Sequence, residues 1–325
     1  MDNGAANAGA DTIPRNVVVY GVVITRRSVL LAGAVAAPFA ALAQQQQAKP
    51  DWGGPILDIH LHPRDQEDGE IAHMVGCGVS NAIILGTAAE QERTKGRMAR
   101  APGRMKFFAS VNVTRPDAGE TLRKAVKAGA IGLGELKSQV DCDGPEMRRI
   151  YELAAELQVP VLLHFQDGPA GQVFNGGVRR FGGILKAYPK TNFIGHANSF
   201  WANVSTDAPA DVAYPSGAIK KGGVSDRLLA EFPNFYGDLA ANSGRNFLGR
   251  DPDFAARFLE RHQNKLMFGS DCPCRDGAGA GQVSTEKWIR DKCVARETLA
   301  ALKKLTTPAV FRKITWENGS KLLKI

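Results

Sequence analysis

From Pro55 onward the chain alternates short apolar runs with segments whose apolar positions recur every three or four residues. The runs are ILDIHLH (56–62), SNAIILGT (80–87), KFFASVNV (106–113), AIGLGELK (130–137), VPVLLHF (159–165), NFIGHAN (192–198), NFYGDLAAN (234–242) and KLMFGSD (265–271). Strands this continuously apolar are covered on both faces, which predicts a parallel sheet. Segments such as AGETLRKAVKAG (118–129), GPEMRRIYELAAEL (144–157) and DPDFAARFLERHQ (251–263) read as the intervening amphipathic helices. Eight such units within residues 55–325 predict an α/β fold, a (β/α)8 TIM barrel forming a single catalytic domain. The rival, an open doubly wound sheet, carries a Gly-rich phosphate turn after its first strand, and PILDIHLHP has none. One connection breaks the rhythm. Residues 199–223 are long and rich in Ala, Pro, Asp and Ser, which predicts a lid or rim.

The first run ends in two histidines, His60 and His62. Residues at i and i+2 of a strand point the same way, so both project together from one strand end in a chelating geometry. Six histidines occur in all, and four fall at the carboxyl ends of predicted strands: His60, His62, His164 and His196. The other two, His73 and His262, fall on predicted helices. In a barrel the carboxyl ends of the strands form the active-site face. Glu135 and Asp271 end the fourth and eighth runs, so imidazoles and carboxylates converge on one mouth. Such a mixed N/O set suits Zn²⁺, and also Mn²⁺ or Fe²⁺.

The segment before the barrel reads as an address. Arg26 and Arg27 precede an apolar stretch, residues 29–43, that ends Ala-Leu-Ala. That order is a secretory signal with cleavage after Ala43, and the paired arginines give it a Tat-type character with a long n-region. The apolar stretch is shorter than the roughly 20 residues that span a bilayer, so no stable membrane insertion is expected after cleavage. Residues 1–43 are therefore assigned to the signal, 44–54 to a polar linker and 55–325 to the barrel. A periplasmic or secreted enzyme is expected, with the Tat export machinery as one partner and a small-molecule substrate as another. Association into a homo-oligomer is compatible with the sequence.

Composition adds less. The net charge of +8 comes from 41 basic residues against 33 acidic ones, spread without a long run or aromatic interleaving. Nothing there forms a nucleic-acid groove, and no nucleic-acid partner is expected. Five cysteines, an odd and scattered set, argue against a disulfide framework. Cys272-Pro-Cys274 is the one close pair, and without a second cluster it reads as structural or rim thiols.

The ordered series DIHLH, GLGELK, VLLHF, NFIGHA and MFGSD, followed by the closing phrase ITWENGSKLLKI, resembles the amidohydrolase superfamily. It looks closest to the amidohydrolase-related branch that includes aminocarboxymuconate-semialdehyde decarboxylase. The resemblance spans roughly residues 55–325. It implies that His60, His62 and Asp271 hold one divalent ion. His164 would hold the same ion in mononuclear members and a second ion in binuclear ones. Glu135 matches the position of a bridging carboxylate, although Lys137, two residues on, is also expected to point inward. His196 would be a second-ion ligand or the imidazole that contacts the reacting group. Asp271 would serve as general base.

The implied chemistry is metal-dependent hydrolysis of an amide, lactone or ester of a small carboxylate-bearing substrate. The alternatives are a non-oxidative decarboxylase of an aromatic or unsaturated acid, and a phosphodiesterase or deoxyribonuclease of TatD-like type. Arg245, after the seventh strand, is the expected carboxylate anchor, since a guanidinium pairs with a carboxylate bidentately. Trp201, together with Phe165, is expected to line an apolar wall.

Overall fold

The computed structural model describes residues 49–168 and 172–325. The signal and residues 44–48 of the linker therefore lie outside the described residues. Residues 47–325 form one compact unit. Eight parallel strands follow chain order around a barrel: β1 Leu57–Leu61, β2 Asn81–Thr87, β3 Met105–Ser110, β4 Leu133–Leu136, β5 Val161–His164, β6 Phe193–His196, β7 Phe235–Asp238 and β8 Leu266–Met267. Seven strands lie within the run that predicted them, and β3 begins one residue before its run, at Met105. Helices Ala118–Lys127, Pro145–Leu157 and Pro252–Arg261 occupy the three segments with helical periodicity.

Alternation along the strands sorts the core into two sets. Ile83, Leu85, Phe108, Leu162 and Ile194 pack together in the bore. Their neighbours Ile84, Phe107, Leu163 and Phe193 pack outward with helix residues such as Met147, Ile150 and Phe258. His164 and His196 share the parity of Leu162 and Ile194, so they continue the bore set to its carboxyl rim. Leu323 of the C-terminal helix joins the bore set with Leu57, which begins β1.

β8 is shorter than its run suggested, because residues 268–271 are stitched to β1. Ile59 N–H donates to Phe268 O at 3.1 Å and Asp271 N–H to His60 O at 2.8 Å. The buried Asp58 carboxylate accepts from the N–H of His60 at 2.9 Å and of Ser270 at 2.8 Å. These bonds close the barrel and fix Asp271 opposite the histidines. Gly269 is needed there: a Cβ would fall 2.2 Å from Asp238 Oδ1 and 2.7 Å from His60 Cβ.

The long connection after β6 begins with a short helix, Asn198–Ala202, and continues as irregular chain. It is anchored by a Lys220–Asp207 ion pair and by the Asp251 carboxylate, which accepts from Ile219 N–H. Its Tyr214 reaches the barrel mouth and lines a cavity with Asp271 and Asn242. It is a rim with its own internal ties. Among the described residues, no helix is long and apolar enough to cross a membrane.

Candidate metal centre

The strand ends bring His60, His62, Glu135, His164, His196 and Asp271 to one mouth. His60 and His62 present their Nε2 atoms 3.3 Å apart. Asp271 Oδ1 lies 3.5 Å from His62 Nε2 and 4.0 Å from His60 Nε2. Glu135 faces both sides. Its Oε2 is 3.5 Å from His62 Nε2, and its Oε1 is 3.6 Å from His196 Nε2. The donor atoms of His60, His62 and Asp271 lie within 4.8 Å of one another, as do those of His60, Glu135 and His196.

His164 meets Glu135 and Gln166. Its Nδ1 is 2.5 Å from Glu135 Oε1 and its Nε2 is 2.9 Å from Gln166 Oε1, so both ring nitrogens are engaged.

Asp238, at the end of β7, is the residue that sequence reasoning missed. Its Oδ2 accepts from His60 Nδ1 at 2.6 Å and lies 3.5 Å from His196 Nδ1. A carboxylate behind a ligating imidazole fixes its tautomer and aims the far nitrogen at the ion. The signal was available: Gly237-Asp238 ends its strand much as Glu135 and Asp271 end theirs.

Two expected substrate contacts lie elsewhere. Arg245 sits in the helix Ala241–Arg250 with its guanidinium 3.9 Å from Glu297 on the helix Val294–Leu305, and it lines neither mouth cavity. Trp201 is buried, donates its Nε1–H to Asp238 O at 2.9 Å and stacks on Phe247 at 4.7 Å. Phe165 is likewise buried, edge-on to Phe181. Lys137 does reach the mouth. It lies 5.1 Å over the Phe174 ring and lines a cavity of about 760 Å³ with His62 and Glu135. A second cavity, of about 560 Å³, meets the first at His62 and is lined by Asp271, Tyr214 and Arg275. Arg275 is a guanidinium at no strand end and in no motif that would single it out.

The electrostatics fit a cation. Burial opposes the charged form of His60, but the carboxylates of Asp238, Asp271 and Glu135 outweigh it and push the ring up to about 10. Burial raises Asp238. Burial opposes ionised Glu135 too, yet the bonds from His164 and His62 hold it well below the usual carboxylate range. Burial keeps His196 neutral, and both its nitrogens are enclosed with no hydrogen-bond partner. An enclosed imidazole without partners, facing two carboxylates, is a lone pair awaiting an acceptor. Ligand–nitrogen bonds of about 2.0–2.1 Å to a shared ion place two nitrogens roughly 3.3 Å apart, the spacing found for His60 and His62. The donor set fits a divalent ion.

A sequence profile described as Amidohydrolase matches residues 78–325. The chain belongs to the amidohydrolase family. No curated protein sequence matches it. Several solved structures share the fold. One is 2,6-dihydroxybenzoate decarboxylase from Rhizobium, 15% identical with a TM-score of 0.52, over 83% of this chain and 98% of that one. Another is a probable 2-pyrone-4,6-dicarboxylic acid hydrolase from Acinetobacter baumannii with citric acid bound, 13% identical at 0.54, over 84% and 100%. A TatD homolog from Escherichia coli K12 is 15% identical at 0.51, over 83% and 98%. At these identities the likeness establishes the barrel alone. It leaves the chemistry to the residues at the mouth of this member of the family.

Proposed function

We propose that this amidohydrolase is a metal-dependent hydrolase of an amide, lactone or ester in a small substrate that carries a carboxylate. One observation carries the reading: Glu135 stands between the two groups of imidazoles with an oxygen toward each. A carboxylate reaching toward both groups of imidazoles suits a centre that activates water for attack on a carbonyl, a step that decarboxylation does not need. A hydrolase places a neutral carbonyl there and leaves the substrate carboxylate further out. Cations line the cavities at that distance, Lys137 on one side of His62 and Arg275 on the other.

His60, His62 and Asp271 would hold one ion, with Glu135 and His196 available to a second. A bound divalent ion supplies Lewis acidity and lowers the pKa of water from 15.7 to about 7. Asp271, 30% exposed at its side chain, takes a proton from the attacking water and passes it to the leaving group. His196, where it is not itself a ligand, is neutral and donates a hydrogen bond to the developing oxyanion. Asp238 keeps His60 aimed at the centre. Zinc is the ion the donor set favours, with Mn²⁺ or Fe²⁺ as substitutes. The twin-arginine segment supports action outside the cytoplasm.

The test is metal content of the purified chain combined with a panel of lactones, amides, esters, aromatic carboxylic acids and bis(p-nitrophenyl) phosphate. Metal-dependent turnover of the carboxylate-bearing lactones, amides or esters is expected. Release of CO₂ from the acids would replace this reading with the decarboxylase, and preference for the phosphodiester with the TatD-like one.

A further inference from the structure

Four of the five cysteines meet a long way along the chain from where they start, outside the mouth just described. Cys272 and Cys274 follow Asp271, Cys293 precedes the helix Val294–Leu305, and Cys77 and His73 lie on the helix Gly69–Cys77. Cys272 Sγ is 3.2 Å from Cys274 Sγ and 3.8 Å from Cys293 Sγ, and Cys274 Sγ is 3.5 Å from His73 Nδ1. All four of these side chains are buried, none more than 5% exposed. The sulfurs are unbonded to one another. His73 Nδ1 also lies 3.1 Å from Cys274 O, and its Nε2 is enclosed without any partner.

We infer that His73, Cys272, Cys274 and Cys293 form a second metal site, closed and structural, that takes Zn²⁺. Three thiolates and one imidazole are a common structural zinc set, four-coordinate and tetrahedral. Zinc–sulfur bonds of about 2.3 Å put sulfurs near 3.8 Å apart at the corners of a tetrahedron. The Cys272–Cys293 separation has that value, and the Cys272–Cys274 pair needs to open by about half an ångström. Cys77, buried on the same helix as His73, is a neighbouring spare sulfur.

The site would hold in place the loop that carries Asp271. Asp271 has φ of 42°, a left-handed conformation that a non-glycine residue keeps only under constraint. Arg64, two residues after His62, donates from its guanidinium to the carbonyl oxygens of both Cys272 and Cys274. The sulfur pocket thus backs the mouth through a single loop, and a closed ion there is a positioning element for Asp271.

The test is X-ray absorption at the zinc edge on the full chain purified with its zinc. A sulfur shell at about 2.3 Å is expected, and the mouth cannot supply one because its donors are all nitrogen and oxygen. A His60→Ala/His62→Ala variant should keep that shell while losing the nitrogen- and oxygen-bound ion. A Cys274→Ser/Cys293→Ser variant should lose it, with one zinc fewer per chain. A wild-type spectrum with no sulfur shell would overturn the inference, as would a disulfide among Cys272, Cys274 and Cys293 found by mass mapping. Either result would leave the reading of the mouth untouched, whereas a spectrum showing only sulfur and the single nitrogen of His73 would sink that reading alone.

Discussion

The mouth and the sulfur pocket share one short loop and differ in almost everything else. The mouth gathers imidazoles and carboxylates, opens to two cavities through a half-exposed His62, and has charge pulled in opposite directions by burial and by neighbouring carboxylates. The pocket gathers thiols and one imidazole and is buried, with Cys272 at its edge against the second cavity. Open sites with exchangeable positions do chemistry, and closed sites hold structure. Asp271 and Cys272 are adjacent in sequence, so a catalytic group and a structural one are set by the same turn of chain. The barrel thus supplies two kinds of surroundings within a few residues: a rim of strand ends on the bore side and a layer of packed helices behind it.

Asp271→Asn removes the base and keeps the shape of the mouth. A loss on the order of 10²–10⁴-fold in kcat is expected, with the circular dichroism spectrum unchanged. Turnover surviving at wild-type rate would mean the proton goes elsewhere. The pocket should answer to a different readout. Withdrawing its zinc costs about 4 kcal/mol of stability at ion concentrations a thousandfold above Kd, seen as a lower melting temperature of the Cys274→Ser/Cys293→Ser variant.

Asp238→Asn sharpens the contrast further. Losing the carboxylate behind His60 should weaken ion binding at the mouth about 10–100-fold by calorimetry. The pH dependence follows from the raised ring. Below about 10 His60 carries a proton that the ion must displace, so affinity falls as pH falls, about tenfold per unit for that one proton. With Asp238 neutralised that slope should end at a lower pH. The smallest effect separates the two expected anchors. Lys137→Met should raise KM for anionic substrates roughly two- to fivefold, about the worth of one exposed charge contact, while Arg245→Met leaves KM unchanged because Arg245 faces Glu297.

Much of this was legible in sequence because strand order and side-chain parity are local properties. His60, His62, Glu135, His164, His196 and Asp271 each end a run, and a barrel brings run ends together without further instruction. What stayed hidden depends on distant packing. Asp238 ends its strand as the other site carboxylates do, but nothing near it in sequence marks it as the partner of His60, 178 residues away. The thiols of Cys272 and Cys274 look isolated until helices 201 residues away from Cys274 deliver His73 beside them. Arg245 and Trp201 follow strands as mouth residues do, yet the helix positions they occupy face Glu297 and Phe247. Side-chain direction on a short helix after a strand is set by tertiary contacts, which a single sequence does not display.

The most direct measurement is anomalous diffraction at the zinc edge from crystals of the loaded chain. A peak is expected at the mouth, about 2.0–2.2 Å from His60 Nε2, His62 Nε2 and an Asp271 oxygen. A chain that turns over substrate while that mouth shows no anomalous density would contradict it.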